Sequence, residues 1–303
     1  MLTKLLDEYV ALRKATGFKF HTEEIQLRSF VAFAEESGDR RVRATTAVKW
    51  ASQTKMPRQR YKRLRTVARF AEHLRAEEPR HELPPARLFA SSSSRPTPRI
   101  FTEAEISRIV MCAAEVGRKG DLLGKTYSTL YGLIATTGMR LSEAIALRFS
   151  DVSAEGLTIR NTKFGKSRVL PLHPTTASAL KSYLRGRRRV VAETDAVFVS
   201  SRCRPLSKNQ VQMMFRQVTA RAGIKNDAFG KHPRVHDLRH TFAVRALERC
   251  QGGRDRVERH LVALTTYLGH TRIESTYWYL EATPRLMRDI AAACETVLDG
   301  GAP

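Results

Sequence analysis

A proline- and serine-rich stretch near the first third of the chain limits how the sequence can fold. Five prolines between positions 79 and 98 surround four consecutive serines at 91–94. Proline lacks a backbone donor and interrupts helices, so no regular element is expected to continue through this stretch. A chain of 303 residues is long enough for two domains with separate cores. We therefore predict a linker at 81–100, which separates a domain at 1–80 from a second at 101–303.

Residues 1–80 carry apolar side chains at helical spacing. Leu5, Tyr9 and Leu12 recur on one face of a first predicted helix. Thr22 is a predicted cap for a second helix, and Pro57 is a favourable first residue for the last one. The spacing predicts a small all-helical domain.

Residues 101–303 combine helical patterns with one short hairpin. Thr102 and Glu105 form a capping-box signature, and Gly138 follows a helical pattern as a left-handed C-terminal glycine would. Two strand-like runs, 156–160 and 168–172, enclose a short turn. A final helix is predicted at 284–298. The predicted fold class is mainly α (α+β), with a small antiparallel sheet in the second domain.

The charge of the chain points to a polyanionic partner. Lys and Arg number 53 against 30 Asp and Glu, so the formal net charge is +23. Nucleic acid is the polyanion that best matches such a surplus. The helix predicted from Pro57 carries six cations before its first acid, Glu72, and they form either a DNA-backbone-binding face or a solvated face. These cations are Arg58, Arg60, Lys62, Arg63, Arg65 and Arg69.

Several other classes of protein are disfavoured by the sequence. The four cysteines show no C-x-x-C spacing, which is typical of free thiols in a reducing compartment. No apolar run has the length of a membrane span, and no secretory signal is evident, so we expect a cytoplasmic, nucleoid-associated protein without a membrane partner. His236 and His240 could form a zinc pair, but no third ligand is evident, so no metal is predicted.

Four motifs carry the residue types that phosphodiester cleavage needs. They are the segments 137–143 (TGMRLSE), 236–240 (HDLRH) and 268–270 (LGH), followed nine residues after the last histidine by Tyr279. Cleavage without metal requires a nucleophile, cations that hold the phosphate oxygens, and an acid for the leaving oxygen. Arginine suits the second task because its planar fork donates two parallel hydrogen bonds to a phosphate.

The order of these motifs, with a lysine-bearing hairpin between the first two, resembles the signature of tyrosine recombinases, the lambda-integrase-like enzymes. The resemblance covers about 100–282 and is weak in the N-terminal part. It implies site-specific DNA breakage and rejoining through a 3′-phosphotyrosyl link, without a cofactor. It also implies double-stranded DNA as partner, a homo-oligomer, expected as a tetramer on two DNA sites, and related recombinases or accessory proteins. The run at 277–284 looks most like transposon-borne members, which suggests transposition by a mobile element.

The resemblance also implies a role for each matching residue. Arg140 and Arg239 would grip the phosphate, with Glu143 orienting the site. Tyr279 would be the nucleophile, and His236 would assist removal of its proton. His270 would donate a hydrogen bond to the phosphate. Lys163 would be the general acid, and Lys166 would contact the DNA backbone. Taken singly, Arg140 and His270 could instead be helix caps, and Tyr279 a core aromatic.

Some alternatives remain open from the sequence alone. Tyr277 and Tyr279 differ by about 200° around a helix, so only one of them can face the phosphate. Lys163 and Lys166 compete for the acid role, and the helix at 284–298 could pack in cis or on a neighbouring protomer. A type IB topoisomerase-like relaxase and a non-catalytic basic DNA-binding protein are the alternative functions.

Overall fold

The computed structural model describes residues 1–18, 20–89, 98–118, 121–160, 167–227, 230–250 and 254–269, together with Thr276 and Tyr279. The chain divides into two compact units, Met1–Pro96 and Thr97–Pro303. Across those described ranges, no helix is both long and apolar enough to cross a membrane.

The N-terminal unit is helical, as its apolar spacing predicts. In chain order its helices are α1 (Leu2–Ala15), α2 (His21–Glu36), α3 (Ala44–Ser52) and α4 (Pro57–Arg75). Their apolar faces meet in a core that includes Leu27, Phe30, Trp50, Leu64 and Phe70. Phe30 and Trp50 pack edge to face, with ring centroids 5.5 Å apart. This contact joins α2 to α3.

The prediction that Thr22 caps α2 is wrong. The helix begins at His21, so Thr22 lies within its first turn, and the capping position belongs to Phe20 in a left-handed conformation (φ 44°). That conformation is strained for a residue with a side chain and persists only where packing holds it. The Phe20 ring packs edge-on against Tyr9, with 5.6 Å between centroids. The aromatic contact thus accompanies the left-handed residue at which α2 starts.

The first half of the predicted linker packs on the N-terminal unit. His81 is buried and its Nδ1 accepts a hydrogen bond from the Val42 backbone N at 3.0 Å. The Glu82 backbone N donates to the Val42 carbonyl at 2.9 Å. Phe89 packs against the helical core. A proline-rich segment can therefore belong to a unit when its extended backbone finds partners there.

The C-terminal unit is mainly helical and contains one small sheet, which confirms the predicted fold class. Tyr131 of the central α6 packs edge to face on Phe215, at 5.0 Å between centroids. The elements, in order, are α5 (Glu103–Ala114), α6 (Leu122–Thr137), α7 (Leu141–Ile145), a 3-10 turn (Phe149–Asp151), β1 (Leu157–Ile159), β2 (Arg168–Leu170), α8 (Pro174–Arg187), α9 (Lys208–Arg221), α10 (Val235–Glu248) and α11 (Arg254–Leu268).

Local sequence signals set the ends of several of these elements. The Thr102 hydroxyl accepts from the Glu105 backbone N at 3.1 Å, and Glu105 accepts from the Thr102 backbone N at 2.8 Å. This reciprocal pair is the predicted capping box at the start of α5. The strands β1 and β2 pair antiparallel, with Leu157 opposite Leu170. The hairpin is present, and it is shorter than the runs of sequence that predict it.

Candidate active site

The turn after α6 positions the first predicted arginine. Gly138 ends the helix in the left-handed conformation (φ 61°), and its backbone N donates to the Ile134 carbonyl at 2.9 Å. A Cβ at this position would overlap the ring of Phe242 on α10, so glycine is needed for space as well as conformation. The turn delivers Arg140 to the position that precedes α7.

Glu143 is held by two arginines. Its Oε2 accepts from the Arg140 backbone N at 2.9 Å, and its Oε1 accepts from Arg140 Nη1 at 2.8 Å. Arg168, on β2, donates from Nη1 to Oε1 at 3.2 Å and from Nη2 to Oε2 at 2.9 Å. Burial by itself would raise the pKa of Glu143, but the hydrogen bonds from Arg168 and Arg140 lower the pKa below its ordinary value. The carboxylate is therefore ionised and fixed in place.

Arg239 and Arg140 converge on two adjacent backbone carbonyls. Arg239 is 1% exposed and donates to the carbonyls of Gly138 (2.7 Å) and Leu268 (2.9 Å). Arg140 Nη2 donates to the Gly269 carbonyl at 2.7 Å. Burial and then the charge of Arg140 lower the pKa of Arg239 to about 10, so its guanidinium is charged at neutral pH.

Tyr279 lies near Arg239. Its side chain is 2% exposed and packs in a core cluster with residues of α10 and α11. Its hydroxyl is 3.1 Å from Nδ1 of His240, with either atom able to donate. The phenol is also close enough to Arg239 to contribute to the pKa of that guanidinium. Tyr279 is thus both a core aromatic and a neighbour of Arg239.

His236 lies one turn before Arg239 and His240 on α10. Its ring packs edge-on against the His240 ring, with 4.4 Å between centroids, although the residue as a whole is exposed. Desolvation of the ring and then the charge of Arg239 lower the pKa of His236 to about 4. The imidazole is therefore neutral at neutral pH.

We expect His236 to take up its proton well below the ordinary histidine value of 6.5 in the DNA-free protein. Because its pKa is lowered on folding, its stabilising contribution is present above that ordinary value and is lost as the pH falls through about 4. The measurement is an NMR titration of the imidazole, with the resonance assigned by its loss in His236→Gln. A midpoint at or above 6.5 contradicts the prediction.

The six cations of α4 separate into two groups. Arg60 is half-buried and donates to the Thr54 carbonyl at 2.7 Å, and the Arg63 guanidinium stacks 5.0 Å from the centre of the Trp50 ring. Those two arginines therefore take part in packing. The exposed members of the set are Arg58, Lys62, Arg65 and Arg69.

Several predicted site residues lie outside the described part of the chain. They are Lys163, Lys166, His270, Tyr277 and the segment 284–298. The structure brings Arg140, Glu143 and Arg239 together, with His236 beside them and Tyr279 near Arg239. Among the described residues, no three His, Cys, Asp or Glu side chains meet as a metal site requires.

The sequence reasoning missed Arg168 and gave His240 no role beyond the zinc alternative. Arg168 alternates with exposed Val169 and lies on the same side of β2 as buried Leu170. A charged residue on the inward face of a strand needs a partner, and that rule could have singled it out. His240 follows Arg239 directly, but only the fold shows that it meets Tyr279.

Comparison with known proteins agrees with this geometry. The model of the phage integrase family matches residues 99–285. Over 294 residues the chain is 34% identical to a Sinorhizobium fredii protein that carries the provisional name integrase/recombinase y4rB, and 94% of each chain is covered.

Two solved structures share the fold at low identity. The transposon Tn1549 integrase in complex with transposon right end DNA superposes with a TM-score of 0.66 at 17% identity, covering 95% of this chain and 98% of that one. A lambda integrase tetramer bound to a Holliday junction superposes with a TM-score of 0.61 at 19% identity, covering 89% of this chain and 77% of that one. With the family match and the full-length relative, these findings show that the chain belongs to the phage integrase family of tyrosine recombinases.

Proposed function

We propose that this protein is a site-specific recombinase that cuts and rejoins double-stranded DNA through a 3′-phosphotyrosyl intermediate. One observation carries the proposal. Two guanidinium groups, Arg140 and Arg239, meet at the turn after α11, and a buried tyrosine, Tyr279, lies near Arg239. In a basic chain of this family, that arrangement supplies the nucleophile and the cations that cleavage at a phosphate requires.

The arginines are arranged to exchange one acceptor for another. In the structure they donate to the carbonyl oxygens of Leu268 and Gly269. A phosphate offers the same kind of acceptor with a full negative charge, so charge-assisted hydrogen bonds favour it. Both guanidinium groups then stabilise the charge that develops on the non-bridging oxygens during attack.

The chemical step balances without a cofactor. The Tyr279 oxygen forms a bond to phosphorus as the bond from phosphorus to the 5′-oxygen breaks. Neutral His236 assists removal of the phenolic proton, and Lys163 protonates the departing oxygen. His270 donates to the same phosphate, and Lys166 contacts the DNA backbone. Attack by a 5′-hydroxyl of another strand reverses the step, so rejoining needs no external energy source.

The oligomeric assembly and the biological role are proposed on separate grounds. Exchange of strands between two duplexes requires a cut on each, so we propose a tetramer on two sites, in which the helix at 284–298 docks on a neighbouring protomer. The residue pattern at 277–284 and the fold shared with a transposon integrase favour a recombinase that moves the DNA of a mobile element. Such a protein would act in the cytoplasm at the nucleoid. The domain at 1–80 would hold the core DNA, joined through 81–100 to the catalytic domain.

A nicked suicide duplex tests the proposal directly. Loss of the short 5′-hydroxyl strand traps the intermediate, so the wild-type protein should leave an SDS-resistant protein–DNA adduct. Two differently marked duplexes should then exchange strands. A relaxase would form the adduct without exchange, and a plain DNA-binding protein would form neither, so either result would refute the recombinase.

The exposed cations of α4 are expected to bind DNA phosphates. Positions 58, 62, 65 and 69 follow helical spacing and form one stripe. The double variant Lys62→Gln/Arg65→Gln should weaken binding to any duplex and lower the salt dependence, log Kd against log salt, by about two units.

The matched control is Arg60→Gln, which removes a cation that bonds the Thr54 carbonyl. Its salt dependence should stay close to that of the wild type. An unchanged slope in the double variant would show that these cations face solvent and do not bind DNA phosphates.

A further inference from the structure

We infer that Arg168 is a positioning residue that holds Arg140 ready for the phosphate, an inference that rests on the proposed strand cleavage. Arg168 lies at the base of the hairpin, far from Arg140 in sequence. Its side chain is 14% exposed and pairs with Glu143, which is 9% exposed. Its guanidinium therefore donates hydrogen bonds to protein groups, and Arg168 affects the reaction through the residues that it contacts.

The first step concerns the number of hydrogen bonds that the Glu143 carboxylate accepts. A carboxylate has two oxygens, and here each accepts two hydrogen bonds. Oε1 receives Arg168 Nη1 (3.2 Å) and Arg140 Nη1 (2.8 Å), whereas Oε2 receives Arg168 Nη2 (2.9 Å) and the Arg140 backbone N (2.9 Å). Because Arg168 occupies its share of both oxygens, Glu143 engages only one terminal nitrogen of Arg140. The other, Nη2, points to the Gly269 carbonyl and remains available for an exchange of acceptor.

The second step concerns the end of α11. Arg168 Nε donates to the Tyr267 carbonyl at 2.9 Å. Gly269 is in the left-handed conformation (φ 65°), and a Cβ there would lie 2.7 Å from Arg168 Nη1. The guanidinium thus fills the space beside a glycine that lacks a side chain. Arg168 fixes the turn that presents the Leu268 and Gly269 carbonyls to the arginine pair.

Together these contacts tie three segments to one side chain: β2, the start of α7 and the end of α11. Without Arg168, both oxygens of Glu143 lose a donor, and the carboxylate can take a second nitrogen of Arg140. The Arg140 fork would then turn away from the phosphate position. A misplacement on the scale of 1 Å can slow a reaction by about 100-fold.

The test uses single-turnover cleavage of the suicide duplex by full-length protein. Arg168→Met should lower the cleavage rate by roughly 10- to 100-fold, with DNA affinity within about twofold of the wild type. Arg168→Lys should recover part of the rate, because an ammonium can still donate to one oxygen of Glu143. Arg160→Met is the matched control, because Arg160 follows β1 and pairs with Asp151. It should cleave like the wild type.

A second substrate separates positioning from a general loss of structure. A methylphosphonate at the scissile position is uncharged, so it depends less on the arginines. The defect of Arg168→Met should therefore shrink on this substrate by at least about threefold, whereas a purely structural defect would be the same on both. Equal defects on the two substrates, or a wild-type rate for Arg168→Met, would overturn the inference.

Two further results keep the test decisive. If circular dichroism shows that Arg168→Met does not fold, Arg168→Lys and Glu143→Gln test the inference instead. Both should cleave more slowly than the wild type, with a smaller defect on the methylphosphonate substrate. A wild-type protein that forms no adduct would instead refute the proposed function itself. The two failures are therefore distinguishable.

Discussion

Tyr279→Phe should abolish the SDS-resistant adduct while leaving DNA binding intact. The substitution removes only the oxygen that is proposed to attack phosphorus. Loss of a nucleophile removes most of the catalysis of an enzyme, so we expect a reduction of at least about 10,000-fold. The fold should tolerate the change, because the ring still fills its buried place, and loss of the hydrogen bond to His240 costs about 1 kcal/mol. Gel separation in SDS measures the adduct, and a mobility shift measures binding.

Two other tyrosines serve as controls for that result. Tyr277→Phe tests the neighbouring candidate, and Tyr267→Phe alters a half-buried ring on α11 that stacks on Phe242 at 5.7 Å between centroids. Both variants should keep the adduct. If Tyr279→Phe still forms it and Tyr277→Phe does not, the nucleophile is Tyr277 and the assignment to Tyr279 is wrong.

Arg239→Met should reduce both cleavage and stability. Removing a preorganised donor from a developing oxyanion slows a reaction by roughly 100- to 1,000-fold. The same change leaves the carbonyls of Gly138 and Leu268 without their arginine donor, in a site where Arg239 is 1% exposed. Unsatisfied buried groups cost about 1–3 kcal/mol each, so the free energy of unfolding should fall by a few kcal/mol. Urea denaturation and single-turnover cleavage measure the two effects.

Arg140→Met separates these effects, because the Arg140 side chain is 32% exposed. It should lose cleavage to a similar degree and lose much less stability than Arg239→Met. A stable, fully active Arg239→Met would contradict the proposed phosphate site. Equal destabilisation by both variants would contradict the distinction drawn from burial.

The local elements of this fold were accessible from the sequence because short-range rules determine them. The pair Thr102 and Glu105 caps α5, and Gly138 ends α6, as their spacing predicts. The hairpin follows from two apolar runs around a turn. The motifs around Arg140 and Arg239 indicated the family for the same reason, since residue identity and order are read directly along the chain.

Contacts between distant segments were not accessible in this way. Whether Arg60 and Arg63 face solvent depends on Thr54 and Trp50, which lie on the preceding loop and helix. The residue before α2 is Phe20, whose ring packs on Tyr9 of α1, and the hydroxyl of Thr22 does not cap the helix. Glu143 lies 25 residues from Arg168 in the sequence, and Tyr279 lies 39 residues from His240.

The sequence by itself determined the helical character, the family and the side chains available for phosphate chemistry. Only the tertiary structure decided that Arg168 completes the hydrogen bonds of Glu143, that Arg239 is buried against two carbonyls, and that Tyr279 meets His240. The physical reason is that helix spacing and capping are local, whereas burial and the satisfaction of polar groups depend on which segments pack together.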